Sequence, residues 1–316
     1  MYKYLFGPVP SRRLGMSLGV DLVPKKLCSL DCVYCEVGKT TGLTTERKEY
    51  IPFDKIVSEL GHYFSSNPDP DYITFSGSGE PTLNSRLGDV ISFIKKSKPG
   101  IPVAVLTNGT LLGDKVLQQE LLKADLVMPS LDAVSESTFN KINRPAEDLD
   151  LGKMIEGLVD FRKIFRGKIW LEIFILPGYN YDDIELIAFR EAIIRIKPDS
   201  VQLNTLDRPG TEPGLVSASQ AQMDRIKDIW ALDNVEIIAS TLKKHKKDAF
   251  RKDIENTILG TISRRPCTVE DLSEILNIPI AEISKYLRAL ETESKVKSVL
   301  QERGVFYQLG NREIGK

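Results

Sequence analysis

The chain has 316 residues, 41% hydrophobic and 28% charged, with 43 basic against 44 acidic side chains and a net charge of −1. That length holds a barrel-sized domain and a smaller one, and the even balance excludes a general attraction to nucleic acid or anionic lipid. No window approaches the roughly 18 apolar residues of a membrane span, and the start, Met1-Tyr2-Lys3-Tyr4-Leu5-Phe6-Gly7-Pro8, lacks a signal-peptide pattern.

Through about residue 240, short β-branched runs alternate with amphipathic segments. Strands are expected at Ser17–Val23, Tyr72–Ser76, Val103–Thr107, Leu126–Pro129, Ile169–Ile175, Ser200–Asn204 and Val235–Ile238. Helical periodicity falls between them, near Phe53–Phe64, Arg86–Lys96, Asp114–Leu122, Lys153–Ile164, Asp182–Arg195 and Ala221–Ile229. The alternation predicts βα units, a parallel sheet and right-handed crossovers. About six units suit an α/β fold of the partial (β/α)6 TIM-like barrel type, with chemistry at the carboxyl ends of the strands.

A composition shift follows at Lys243-Lys244-His245-Lys246-Lys247. Helices are expected at Asp248–Ser263, at Thr268–Leu276 after a Thr-Val-Glu-Asp capping box, and at Pro279–Glu291, and then a hairpin over Val296–Leu300 and Val305–Leu309. The chain thus divides into a barrel at 1–240, a basic linker and helix start at 241–252, and a winged-helix-like domain at 253–316. Residues 241–316 hold 15 Lys+Arg and 11 Asp+Glu, a local positive surplus.

Three of the four cysteines lie within eight residues, Cys28, Cys32 and Cys35, spaced C-x3-C-x2-C after the first expected strand. Thiolates are the usual ligands of iron–sulfur clusters, and a closed cluster takes four. Three close thiols without a fourth describe a cluster with one iron left open. Two other readings stand beside this one. Positions i, i+4 and i+7 share a helix face, which would make an apolar stripe, although Pro24, Asp31 and Gly38 favour a loop. A zinc site takes four ligands, or three and a water, while Cys267, His62 and His245 are distant in sequence. Cys267 reads as a core side chain and His62 as a helix-surface residue.

Polar residues recur at the following strand ends. Gly77-Ser78-Gly79-Glu80-Pro81-Thr82 allows a tight turn and close approach to a ligand; its carbonyls and the Glu80 carboxylate are acceptors for an ammonium group. The bland alternative is a turn into a helix, with Glu80 as a helix-start charge. Thr107-Asn108-Gly109, Pro129-Ser130-Leu131-Asp132 and Trp170-Leu171-Glu172-Ile173 carry the next ones, with Glu172 on the face opposite Leu171 and Ile173. Arg12, Arg13 and Arg144 are candidate clamps for an anionic substrate, because guanidinium forks match phosphate and carboxylate.

With Tyr34 just before the last cysteine, the loop resembles the signature of the radical S-adenosylmethionine (SAM) superfamily. The resemblance implies a 4Fe–4S cluster on Cys28, Cys32 and Cys35 whose open iron chelates SAM, and reductive cleavage of SAM to a 5′-deoxyadenosyl radical that abstracts hydrogen. It also implies that Tyr34, Gly77, Gly79 and Glu80 border SAM, with the glycine motif holding its amino group. By the same resemblance Asn108, Ser130 and Glu172 contact the ribose or carboxylate, and Asn204 lies beside adenine. Gly7–Gly15, Lys141–Pro145 and Gln202–Gly210 further resemble a sub-family related to the tRNA wybutosine-synthesis (4-demethylwyosine synthase) radical enzyme. Residues 1–27 depart from it, holding no cysteine for that enzyme's second cluster.

The expected function is a radical SAM oxidoreductase or transferase acting on a macromolecule such as tRNA, gripped through the basic run and C-terminal domain. A protein-modifying activase and an iron–sulfur DNA-binding regulator are the alternatives. A low-potential donor such as ferredoxin or flavodoxin and a cytoplasmic setting, where thiols stay reduced, complete the expectation.

Overall fold

The computed structural model describes residues 2–11, 13–238 and 254–310. Arg12 and the run Lys243–Lys247 lie outside the described residues. In chain order the barrel part comprises β1 (Leu5–Ser11), β2 (Gly15–Val20), β3 (Leu27–Cys28), β4 (Gly42–Leu43), α1 (Phe53–Ser66), β5 (Tyr72–Phe75), a 3-10 turn at Pro81–Leu83 and α2 (Leu87–Ser97). It continues with β6 (Val103–Thr107), α3 (Lys115–Leu121), β7 (Leu126–Pro129), α4 (Glu136–Ile142), α5 (Leu151–Ile164), β8 (Lys168–Ile175), α6 (Asp183–Ile196), β9 (Ser200–Thr205), α7 (Gln220–Trp230) and β10 (Val235–Ile237).

The large sheet has eight strands in the order β1-β2-β5-β6-β7-β8-β9-β10. All pairings from β2 to β10 are parallel, and six of these strands are followed by helical crossovers. This α/β architecture fits a partial TIM-like barrel. Two features differ from the sequence reading. β1 pairs antiparallel with β2 and adds an edge; Pro8 and Pro10 argue against a strand, but proline is tolerated on an edge, where its missing N–H breaks no ladder. The cysteine loop therefore follows the second strand of the sheet, not the first. Helix α4 was also not anticipated: it is short, and Ser135 caps it by accepting from Thr138 N.

Side chains alternate along a strand, so one face of the sheet packs against the helices. Ile73, Phe75, Val103, Val105, Val127, Ile169 and Leu171 are buried there. The opposite face holds a separate apolar cluster of Leu14, Ala104, Leu126 and Met128, joined by Tyr72, Leu106 and Trp170. Further along the same face of β8, Glu172 stands in register with Gln202 of β9. Apolar side chains thus fill one end of the interior, and polar ones appear toward the carboxyl ends.

Residues 254–310 fold as α8 (Ile254–Ile262), α9 (Val269–Leu276), α10 (Ile280–Thr292) and an antiparallel pair, β11 (Val296–Gln301) with β12 (Gly304–Leu309). They bury their own cluster around Ile258, Cys267, Leu272, Ile283 and Leu287. Ion pairs fasten this unit to the barrel at two places. Arg264 meets Asp21 at 2.5 Å and lies over the Phe6 ring. Arg303 donates to both carboxylate oxygens of Asp271 at 2.9 Å and forms an ion pair with Asp207 at 2.9 Å. Arg208, only 5% exposed, lies 3.6 Å from Asp271, which is 2% exposed, and 3.4 Å from Glu36.

Burial alone would raise the Asp271 carboxyl, but the Arg303 hydrogen bond and the Arg208 charge outweigh it and hold it below the usual 3.8. A depressed carboxylate contributes stability that is complete above its unfolded value and lost as pH falls through the folded one. Removing one member of a buried pair costs about 3–5 kcal/mol. Asp271→Ala is expected to lower the unfolding free energy at pH 7 by that order, read by chemical denaturation. In the wild type the part that depends on ionised Asp271 should be lost only as pH falls below about 4, and the variant should lack that acid-dependent loss.

Candidate active site

Residues 28–38 contain no helix, so the apolar-stripe reading of the cysteines falls. Backbone bonds from several elements fix the loop. Lys26 N donates to Ser78 O at 2.6 Å and Glu80 N to Leu27 O at 3.0 Å, coupling the loop to the glycine turn after β5. Asp31 N and Val33 N donate to Asn143 O and Ile142 O at the end of α4, and Thr211 N to Val33 O. Cys35 N closes a turn onto Cys32 O at 3.1 Å.

The glycine motif works here by steric vacancy. A Cβ on Gly79 would sit 2.1 Å from Leu27 O, and one on Gly77, whose φ is +120°, would sit 2.2 Å from an Asp21 carboxylate oxygen. Glu80 is placed differently from the expectation that its carboxylate faces a ligand's ammonium. It is 2% exposed and caps the 3-10 turn. Its Oε1 accepts from Thr82 N, Thr82 Oγ1 and Thr107 Oγ1, and its Oε2 from Asn108 N, at 2.6–3.0 Å. Burial raises its pKa, and these four bonds oppose the rise. Glu80 therefore ties the ends of β5 and β6 together behind the site, the helix-start role that the sequence left open. Ser78 O is likewise occupied, by Lys26 N.

Each cysteine sulfur meets a nitrogen donor. Asn108 Nδ2 lies 3.5 Å from Cys28 Sγ, Asn143 Nδ2 3.3 Å from Cys32 Sγ, and Lys26 Nζ 3.1 Å from Cys35 Sγ. Burial, then the Glu80 charge, pushes the Cys28 thiol up to about 12. Burial and the Asp132 charge hold Cys32 well above its ordinary value. A metal that binds these sulfurs must displace their protons. Among the described residues no three His, Cys, Asp or Glu side chains converge on a single ion. A cubane has no such requirement, since each thiolate holds a different iron.

Tyr34 is spent on the scaffold. Its ring stacks on Phe174 at 3.9 Å and 10°, and its hydroxyl donates to Asp132 Oδ2. Asp132, 4% exposed, also accepts from Phe174 N at 2.9 Å and Asn143 Nδ2 at 3.1 Å. Burial raises its carboxyl to about 6 against these donors.

Asn108 fits the site but faces Cys28 and Ser29 Oγ, at 2.8 Å from the latter. Ser130, just past the end of β7, forms a parallel backbone bridge with Glu172 inside β8. Glu172 accepts from Arg13, which also donates to Gln202 Oε1 at 2.8 Å. Arg13, expected as a substrate clamp, pairs in this structure with Glu172 and Gln202 in the interior. Arg144 pairs with Glu212 at 2.7 Å beside the cysteine loop, with its side chain 38% exposed. Asn204 Oδ1 accepts from Thr205 N at 3.0 Å and lines a cleft of about 430 Å³ with Met223 and Arg303. Lys26 and the side chain of Asn143 were missed. Their sulfur partners lie 9 and 111 positions away, so spacing alone gave no signal.

Gly79→Ala is expected to leave secondary structure intact by circular dichroism yet abolish iron and sulfide uptake on anaerobic reconstitution. The new methyl can be accommodated only if the cysteine loop withdraws from the β5 turn. Wild-type iron content in this variant would show the approach to be slack.

The profile of the radical SAM superfamily matches residues 22–190. The GTPase Obg of Brachyspira hyodysenteriae is 38% identical over 296 residues; the match covers 93% of this chain but only 43% of that relative's length. The UPF0026 protein of Methanocaldococcus jannaschii is 35% identical over 281 residues, covering 86% of this chain and 85% of that one. A radical SAM methyltransferase from Sphaerobacter thermophilus superposes with a TM-score of 0.56 at 15% identity, covering 70% of this chain and 65% of that chain, a likeness of fold. The chain belongs to the radical SAM superfamily, whose members are enzymes, and to the UPF0026 proteins.

Proposed function

We propose that Cys28, Cys32 and Cys35 hold a 4Fe–4S cluster and that the chain cleaves SAM reductively to act on a macromolecule such as tRNA. One observation carries this reading: three thiols lie on one loop at the carboxyl end of a parallel sheet, each facing a nitrogen donor from a different part of the fold. The donor set suits the cluster. The sulfurs are soft ligands, and Asn143 Oδ1 is buried without a partner beside them. Bound there, cluster and SAM supply one-electron cleavage of a carbon–sulfur bond and a carbon radical for hydrogen abstraction. The chain's own residues orient and shield. Asp132, Tyr34 and Phe174 lock the loop, while Glu172 within β8 and Asn204 near the end of β9 are the expected contacts of SAM ribose and adenine.

The test is 5′-deoxyadenosine formation. Anaerobically reconstituted protein given dithionite and SAM is expected to release it, and Cys32→Ala to lose both the visible chromophore and all cleavage. A wild type with full iron and sulfide but no 5′-deoxyadenosine or methionine would refute the cleavage.

The tRNA substrate rests on the wybutosine-enzyme resemblance and on the charge of the C-terminal region. Residues 254–310 hold seven basic and eight acidic side chains, so the positive surplus belongs to residues 241–253 and 311–316. Phosphate contacts made by Lys243, Lys244, Lys246 and Lys247 should give affinity that falls linearly with salt on a log–log scale. Replacing all four with Ala should flatten the slope by about 0.7–0.9 per lysine engaged. Salt-independent binding, or an unchanged slope, would remove tRNA.

A protein substrate is the second reading, favoured by the hairpin of this winged-helix-like unit. Leu300 and Val305 oppose each other there and are 77% and 41% exposed. A ferredoxin or flavodoxin is the proposed electron source. Among the described residues no helix is long and apolar enough to cross a membrane.

A further inference from the structure

The geometry points to Lys26, Asn108 and Asn143 as positioning residues that donate one hydrogen bond to each cluster-ligating sulfur and so raise the cluster's reduction potential. This deepens the proposed function and rests on it.

The three donors come from separate elements: the turn before the cysteine loop, the end of β6, and the carboxyl cap of α4. Each addresses a different sulfur, at 3.1 Å for Lys26 and Cys35, 3.5 Å for Asn108 and Cys28, and 3.3 Å for Asn143 and Cys32. One such contact would be unremarkable for a half-buried thiol, but one per cysteine makes a cage.

Lys26 is the most telling member. It is 7% exposed, and its φ of 62° lies in the left-handed region that such side chains seldom adopt. A buried ammonium is unfavourable unless a counter-charge meets it, and Lys26 Nζ donates to Cys35 Sγ. A thiolate-ligated cluster would provide that counter-charge. Asn143 adds a second sign of design. Its Nδ2 bridges Cys32 Sγ and Asp132 Oδ2, both acceptors, which fixes the amide's orientation and leaves Oδ1 buried and unpaired. The side chain is therefore oriented for donation at the expense of its own acceptor.

Reduction adds one electron from the donor to the cluster and oxidises the donor by one. The added negative charge spreads onto the sulfurs, so N–H dipoles and a nearby ammonium favour the reduced form. The buried carboxylates of Glu80 and Asp132 beside the loop would oppose the added charge, and the three donors offset them.

The experiment is an EPR-monitored redox titration of the full chain, reconstituted anaerobically with ferrous iron and sulfide, with iron and sulfide quantified first. Lys26→Met, Asn108→Leu and Asn143→Leu are expected to keep wild-type iron. Each should shift the reduction equilibrium about tenfold toward the oxidised cluster, or ~59 mV for one electron, with Lys26→Met giving the largest shift. Lys26→Arg, which keeps charge and donor, should return to the wild-type potential. Full iron content with unmoved potentials would overturn the tuning role and leave the cluster standing. Loss of iron from all three variants would make these residues merely structural and also overturn it. A wild type that takes up no cluster at all would instead bring down the proposed function, a result recognisable before any titration.

Discussion

A backbone clasp between the cysteine loop and the turn after β5 is the constraint on which the site depends. Lys26 N reaches Ser78 O, and two residues on Glu80 N reaches Leu27 O. That approach needs residue 79 to lack a Cβ, because Leu27 O fills the place the Cβ would take. Glu80 carries the restraint deeper. Its carboxylate gathers Thr82, Thr107 and the Asn108 amide, so the ends of β5 and β6 and the start of the loop move together. Through the Asn108 side chain this restraint reaches Ser29 and Cys28.

A second hub holds the other side of the loop. Asp132 accepts from Tyr34, Phe174 N and Asn143, and its own carbonyl accepts from Asn180 Nδ2 at 2.9 Å. Burying that carboxylate is unfavourable, as its elevated pKa records, and the donors offset the cost. An apolar residue there would release Tyr34 and the Asn143 amide together. Both hubs are buried carboxylates whose oxygens accept from the scaffold around them. Their chemical contribution is the placement of sulfur.

Much of this organisation was legible in the chain. The parallel strands announce themselves as β-branched runs buried on both faces, and C-x3-C-x2-C marks the loop by thiol spacing alone. What spacing cannot give is direction. Glu80 lies in a motif that permits either a ligand contact or a cap, and only the position of Thr107, 27 residues away, decides between them. Arg13 was a candidate clamp by residue type alone, and its partner here, Glu172, is 159 positions distant. Lys26 gave no periodic or motif signal, since its role arises from a left-handed turn that folds Nζ back over Cys35. Strand β1 was hidden by its prolines, which only an edge position tolerates. Within residues 241–316 the positive surplus is carried by 241–253 and 311–316, which lie outside the described residues.

The interior pair of Arg13 and Glu172 now has an electrostatic reason. Glu172 stands on the inner face in register with Gln202, close enough for its charge to act on Asp132. An unpaired carboxylate in that position would add negative charge to a site already dense with thiols and buried acids. Arg13 meets it from the β1–β2 turn and spans to Gln202, cancelling the charge while engaging only Oε2. In the proposed function the paired carboxylate would keep acceptor capacity for neutral hydroxyls, such as those of a ribose, while its charge is balanced by Arg13. The polar interior would then offer acceptors without adding net negative charge beside the cysteine loop.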